Sequence, residues 1–292
     1  MSPLTTAFDE LAPLHRPIMV LALRGLFDIA EVATDAVEAL MAERAAPVVA
    51  GIDPDPFFDF TQERPVVQFV DPDDPDDEAE REIAWPENEF RVVRHHGLAH
   101  DLVVLVGVEP HLRYATFADC IINVASELGC EIVVTLGAAP EQVPHTRPPR
   151  VVGSTTNEGL ARALGLARPQ YQGVTGLVGV LQARLDDAGI PAVSLRVGVP
   201  YYLGNAKHPQ SSAALLRHLE HVLGVPTGHS ALDEEVTRWR SLHDEAVADD
   251  DDASAWVEQL EHEYDRRLEA EMPSADDLAA ELELFLREQR DE

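Results

Sequence analysis

The sequence predicts an α/β fold in which neighbouring strands run parallel and deliver their loops to one edge. Three consecutive stretches carry this expectation. From Asp101 to Pro110 the chain holds the apolar run Leu102-Val103-Val104-Leu105-Val106, stopped by Gly107 and Pro110. From Thr116 to Leu128, the apolar residues Phe117, Ile121, Val124 and Leu128 recur at spacings of four, three and four. That spacing is one face of a helix. Thr116 suits its cap, Asp119 its first turn and Gly129 its end. A second apolar run, Glu131 to Leu136, stops at Gly137. Strand, helix and strand in this order give a parallel pair. In open α/β sheets ligands bind at the carboxyl ends of strands. The polar stretches Glu109 to Arg113 and Gly137 to Arg150 therefore mark the rim where a site would form.

The remaining elements follow in order. Pro17 to Leu23 reads as the first strand and Arg24 to Asp28 as the turn after it. Glu31 to Ala42 reads as a helix, Pro47 to Ile52 and Val66 to Val70 as two further strands. Asp71 to Glu80 holds seven acids and two prolines and cannot bury a core, so a solvated loop is expected. Arg81 to Trp85 and Phe90 to Val93 are expected to pair as a hairpin across Pro86 to Glu89. Asn157 to Leu164 is a short helix. Gln172-Gly173-Val174-Thr175-Gly176 turns into a helix carrying Leu177, Leu181 and Leu185. Pro191 to Val199 is another strand, Pro200 to His208 a polar loop, and Pro209 opens a helix with Leu215, Leu219 and Val222 inward.

Composition shifts near Pro226. From there to Glu292 there are 22 acids against 6 arginines. Three narrow-striped helices fit this region: one from Ser230 with Leu232, Val236 and Trp239, one with Val257, Leu260, Tyr264 and Leu268, and one from Pro273 with Leu278, Leu282 and Phe285. Each stripe needs a partner to pack against. The expected organisation is an α/β core over 1–225 and an acidic helical region over 226–292.

The chain has 292 residues, 45% of them apolar, and a net charge of −31. That charge repels phosphates and argues against nucleic-acid binding. No apolar run approaches the ~18–20 residues of a membrane span. Met1 to Thr6 lacks the basic start and apolar run of a signal peptide, so a cytoplasmic protein is expected. Cys120 and Cys130 have no metal-site spacing and read as reduced thiols. Lys207 is the single lysine among 22 basic residues.

Several catalytic signatures are missing. There is no Gly-x-Ser-x-Gly elbow, no Gly-x-x-x-x-Gly-Lys phosphate loop and no Gly-x-Gly-x-x-Gly fingerprint. Among twelve histidines none forms a zincin pair, so neither a metal nor a cofactor is expected. The candidate ligand-binding residues are Glu109, Arg113, His145, Arg147, Tyr171, Thr175, Tyr201 and Lys207, with His111 beside them. Arg113 and Arg147 have the fork geometry for a carboxylate or phosphate, or else pair with internal carboxylates such as Glu109. Glu109 and His145 suit a base and an acid, but no nucleophile stands beside them.

Certain stretches resemble the proteasome assembly chaperone 2 family in its actinobacterial and archaeal form. They are Gly107-Val108-Glu109-Pro110 with Arg113-Tyr114, Val133 to Gly137, and Val143 to Pro148. Tyr171-Gln172-Gly173 with Thr175-Gly176, Gly189 to Leu195, and Ala214 to Glu220 extend the match over most of Leu14 to Val225. The resemblance implies a three-layer α/β/α fold with a largely parallel or mixed sheet, akin to nucleoside phosphorylases and related hydrolases. It also implies homo-oligomers, often trimers, and a role as assembly chaperone or scaffold for proteasome-related proteins. Two departures stand out. The family's Gly-Trp-Asn-Asp-Ala-Gly turn is here Gly25-Leu26-Phe27-Asp28-Ile29-Ala30. The hydrophobic-Tyr-any tail of proteasome-binding relatives is replaced by Arg290-Asp291-Glu292, so docking by such a tail is not expected.

Two readings result. The first is a non-catalytic binding protein of the assembly-chaperone type. The alternative is an enzyme or binder of a small anionic metabolite on a phosphorylase-like scaffold. ATP-grasp ligase chemistry ranks below both, because Mg²⁺-ATP sites need placed lysines and only Lys207 is present.

Overall fold

The central strand of the molecule is apolar from Ile18 to Leu23 because it is covered on both faces. In the computed structural model, which describes residues 2–42, 44–70, 80–94, 99–204 and 206–271, this strand is Ile18–Arg24. Ile18, Val20 and Ala22 face one core, and Met19, Leu21 and Leu23 face the other. Alternation across a sheet with two covered faces gives such a continuous run.

The strands are β1 (Leu4–Thr6), β2 (Ile18–Arg24), β3 (Val48–Ile52), β4 (Val66–Val70), β5 (Glu80–Ala84), β6 (Glu89–Val93), β7 (Leu102–Val108), β8 (Ile132–Glu141), β9 (Val151–Ser154) and β10 (Ala192–Pro200). The helices are α1 (Val32–Met41), α2 (Tyr114–Glu127), α3 (Glu158–Leu164), α4 (Leu177–Asp187), α5 (Pro209–Leu223), α6 (Asp233–Ala248) and α7 (Asp251–Glu271). Eight strands form one mixed sheet in the order β1-β3-β6-β7-β2-β8-β10-β9. The middle four, β7, β2, β8 and β10, are mutually parallel. Antiparallel strands flank them on both sides. Helices α1 and α5 contribute Val37, Leu40, Leu215 and Leu219 to one core. Helices α2 and α4 contribute Phe117, Ile121, Leu181 and Leu185 to the other. This is the three-layer α/β/α arrangement with a mixed sheet and additional C-terminal helices.

Three local expectations are corrected. First, β5 does not pair with β6. It pairs with β4, with Val67 opposite Ile83 and Phe69 opposite Arg81. β6 instead enters the main sheet between β3 and β7. Burial decides this: Phe90, Val92 and Val93 are fully covered there, whereas Val67, Phe69 and Ile83 remain exposed. Second, Gly137 does not end its strand, since β8 continues to Glu141 against β10. A Cβ at 137 would lie 3.0 Å from the Phe27 carbonyl, so the glycine permits a close approach. Third, α2 starts before Thr116: Arg113 stands at its N-cap in the left-handed region, with φ of 55°. The acidic stretch 71–79, the histidines His95 and His96, and the helix expected from Pro273 lie outside the described residues.

The C-terminal part forms a helical hairpin of α6 and α7. Trp239, Val257, Leu260 and Tyr264 are its buried side chains, and α6 packs on α5. Among the described residues no helix is long and apolar enough to cross a membrane.

Candidate functional site

The carboxyl ends of β2, β7 and β8 meet at one rim. Arg24 is in register with Val108, and the Ala138 N–H donates to the Phe27 carbonyl at 2.6 Å. The turn after β2 lies across this rim and is held at further points. The Leu26 N–H donates to Glu109 Oε2 at 2.9 Å. The buried Asp28 carboxylate accepts from Ala33 N–H at 2.6 Å, Thr34 N–H at 3.2 Å and Thr34 Oγ1 at 2.6 Å. It thereby caps the start of α1. Burial pushes the Asp28 carboxyl up from its ordinary range, against the pull of those hydrogen bonds. Ala30 and Glu31, at φ of 54° and 58°, bend the chain sharply into the helix.

Glu109 is the connector of the rim. Its Oε1 accepts from the Leu177 N–H, the first of α4, at 2.6 Å. A carboxylate there satisfies an otherwise unpaired helix donor and the positive end of the helix dipole. A Cβ at Gly25 or Gly176 would fall within 2.6 Å of Glu109 atoms. Those glycines let two loops close on one side chain. Thr175 lies beside this junction and is exposed. Tyr171 is also exposed, its hydroxyl donating to the Val174 carbonyl at 3.0 Å. His111 Nδ1 accepts from the Asp59 N–H at 3.1 Å, and its ring meets Phe58 edge-on. The Arg113 side chain is exposed.

His145 and Arg147 belong to a different constellation, beneath the C-terminal hairpin. His145 is 1% exposed. Its backbone N–H donates to the Tyr202 hydroxyl at 2.8 Å, which lies 2.6 Å from Nδ1; Nε2 lies 3.2 Å from Asp244 Oδ1 on α6. Tyr202 as donor to Nδ1, with the His145 proton on Nε2, satisfies all three contacts. Burial lowers the His145 pKa, and Asp244 opposes that shift. The Tyr202 hydroxyl is pushed up to about 12 by its burial. Arg147 makes a bidentate pair with Asp265 and reaches Glu261 at 3.2 Å. Thr146 also bonds Glu261, and the Tyr264 hydroxyl donates to the Pro148 carbonyl at 2.7 Å. Loop 143–149 is thus the ledge on which α6 and α7 rest. Tyr201 stacks edge-on against Tyr202. Lys207 pairs with Asp35 of α1 at 3.4 Å.

The eight candidates therefore divide. Glu109 stands at the start of α4, with Thr175 and Tyr171 on the loop that leads into that helix. His145 and Arg147 lie under α6 and α7 with Tyr201 against Tyr202 beside them, while Arg113 and Lys207 stand elsewhere. No hydrogen bond or ion pair joins Glu109 to His145 or Arg147 among the described residues. Among the described residues no three His, Cys, Asp or Glu side chains are placed to hold a metal ion.

Sequence reasoning missed a cleft of about 520 Å³ between the β4–β5 hairpin and the core. Its floor includes Arg24, Val106 and Val108 at the ends of β2 and β7, one side is α1, and Trp85 stands at the hairpin side. The sequence signal for it was slight, a Trp85 just past the largely charged strand Glu80–Ala84.

A mixed eight-stranded sheet sandwiched by helices, with a pinned rim, defines a three-layer α/β protein. The chain belongs to the PAC2 family, whose model matches residues 22–247 and so reaches nearly to the end of α6. A PAC2 family protein from Streptomyces avermitilis is similar in structure, with 36% identity, a TM-score of 0.75, and 82% of this chain and 99% of that chain covered. A proteasome-assembly chaperone homologue from Mycobacterium tuberculosis shares 34% identity at a TM-score of 0.73, over 82% of this chain and 99% of that one. An archaeal proteasome activator from Pyrococcus furiosus, 19% identical over 84% of this chain and 99% of that one, shares the fold at a TM-score of 0.64. Among curated proteins none matches.

Proposed function

We propose that this protein is a non-catalytic binding protein that acts, as a homo-oligomer, in the assembly or regulation of proteasome-related machinery. One observation carries the reading: 34% identity to a proteasome-assembly chaperone homologue across nearly all of that chain. The side-chain chemistry agrees with it, because Glu109 at the rim, and His145 and Arg147 beneath α6 and α7, spend their polar atoms on contacts within the chain. The test is co-elution of the purified protein with a purified proteasome core particle and its precursors, with the oligomeric state read by light scattering. A complex or an accelerated core-particle assembly is expected. A clean monomer that binds neither species would overturn the reading.

Binding of a small anionic metabolite is the second reading, favoured by the exposed Arg113 at the start of α2. A thermal-shift screen with phosphate, nucleosides and ATP tests it, and loss of any shift in Arg113→Ala would support it.

A further inference from the structure

We propose that the cleft between the β4–β5 hairpin and the core is a docking groove for an extended, basic and apolar segment of a partner protein. Position, shape and charge each contribute to the argument.

The groove lies over the carboxyl ends of β2 and β7. From β2 the chain leaves through α1 on one face of the sheet, and from β7 through α2 on the other. A crevice where connections part to opposite faces is the usual ligand position in α/β sheets. Its volume of about 520 Å³ holds several side chains, within the ordinary range of ~300–1,000 Å³ for binding clefts.

The hairpin wall favours an extended occupant. Among the described residues β4 and β5 pair only with each other. Their outer edges therefore offer backbone donors and acceptors to an added strand. A lone two-stranded hairpin is marginal in water, and a docked segment would supply the missing cover. Val66 and Ala84 turn toward the groove, and the Trp85 ring, 45% exposed, is steadied edge-on by Phe60 at 5.0 Å.

Charge selects a basic segment. Arg24 is occupied by Glu63 and Glu31, and Arg91 by Glu89. Glu38 and Glu87 also line the groove and have no ion pair among the described residues. Among the described residues Arg64 is the lining cation without one. Burial, then Asp35, pushes the Glu38 carboxyl up, and Lys207 opposes them only in part. A guanidinium can meet Glu38 or Glu87 and lie on the Trp85 face. Phosphate ligands are repelled by a chain at −31. The choice of a polypeptide rather than a small cation rests on the protein-binding reading above.

The test is fluorescence anisotropy of a labelled peptide alternating Arg and Val, titrated with the full-length protein at low salt. The Arg/Val peptide is expected to bind, an Arg/Ser peptide at least fivefold more weakly, and a Glu/Val peptide and ATP not at all. Glu38→Gln with Glu87→Gln should weaken the Arg/Val peptide at least tenfold, and Trp85→Ala severalfold. Glu245→Gln with Asp249→Asn, exposed in the last turn and at the C-cap of α6, controls for general attraction to an acidic protein and should leave binding unchanged. Equal losses in the groove and control variants would overturn the proposal, as would no loss in the groove variants or no peptide binding. Thermal melts confirm that each variant is folded. Peptide failure alongside an intact core-particle complex would remove the groove and leave the functional reading; the converse would remove the functional reading and leave the groove.

Discussion

Arg147 holds Asp265 through two parallel contacts, Nε to Oδ1 at 3.0 Å and Nη2 to Oδ2 at 2.8 Å. The pair fastens α7 to the ledge formed by loop 143–149. Arg147→Ala should free α7 with little effect on the sheet. Because Asp265 is nearly half exposed, solvent screens the pair and the expected loss of global stability is small. Hydrogen exchange should show 251–271 opening while β2 and β8 stay protected. Arg147→Lys should not restore protection, since an ammonium cannot reproduce the fork.

Glu109 joins the turn after β2 to the first turn of α4. Hydrogen bonds to charged groups contribute roughly 1.5–3 kcal/mol each, less where solvent reaches them. Glu109→Ala should therefore lower unfolding free energy by about 2–3 kcal/mol. Glu109→Gln, with one acceptor oxygen instead of two, should fall between the variant and the native chain. Urea denaturation with an unchanged slope checks the order.

Asp28 caps α1 from inside the protein. Removing it leaves the Ala33 and Thr34 donors buried. Asp28→Ala should cost about 2–3 kcal/mol, and Thr34→Val about 1 kcal/mol through loss of the hydroxyl contact. Additivity in the double variant would argue against this pairing, because groups in contact couple.

His208 is 1% exposed against the Trp239 ring. Neither ring nitrogen has a partner in good hydrogen-bond geometry. Burial, with His243 adding to it, lowers its pKa to about 4, and the Gly204 backbone only partly opposes this. The unfolded chain binds the proton near pH 6.5, the folded one only near 4. The native state therefore loses stability as pH falls across that window, by roughly 2–3 kcal/mol. His145, also lowered by burial, acts in the same direction. Trp239 reports locally once Trp85 and Trp256 are changed to phenylalanine. Its emission should shift red below pH 6, and His208→Leu should flatten that response.

Much of the fold was legible because most of the central elements are long or strongly periodic. The β2, β7 and β8 runs and the Phe117–Ile121–Val124 stripe are buried where their spacing placed them. Short edge strands carried no comparable signal: Leu4–Thr6 and Val151–Ser154 hold three and four residues. The candidate site was legible only in part. Loop position placed Glu109 at the rim, but which loops close on it depends on the approach of Gly25 and Gly176. His145 and Arg147 looked available because Asp244, Glu261 and Asp265 lie about a hundred residues further along the chain. In a strongly acidic protein, nothing in the sequence marks which carboxylates fold back. The cleft depends on β5 pairing with β4 and not with β6, where the shorter connection to β6 pointed the other way.

That pairing makes the hairpin a cassette. The chain leaves the main sheet at Ile52 and rejoins it at Glu89, and the Ile52 N–H donates to the Asn88 carbonyl at 3.0 Å. Departure and return thus share a single point on the scaffold. Lengthening such an excursion is cheap, about 0.6 kcal/mol per doubling for a flexible loop. Between Phe60 and Asn88 the chain is accordingly a segment that evolution or a protein engineer can exchange, while Phe57 and Phe58 stay with the core, giving that core a succession of different arms.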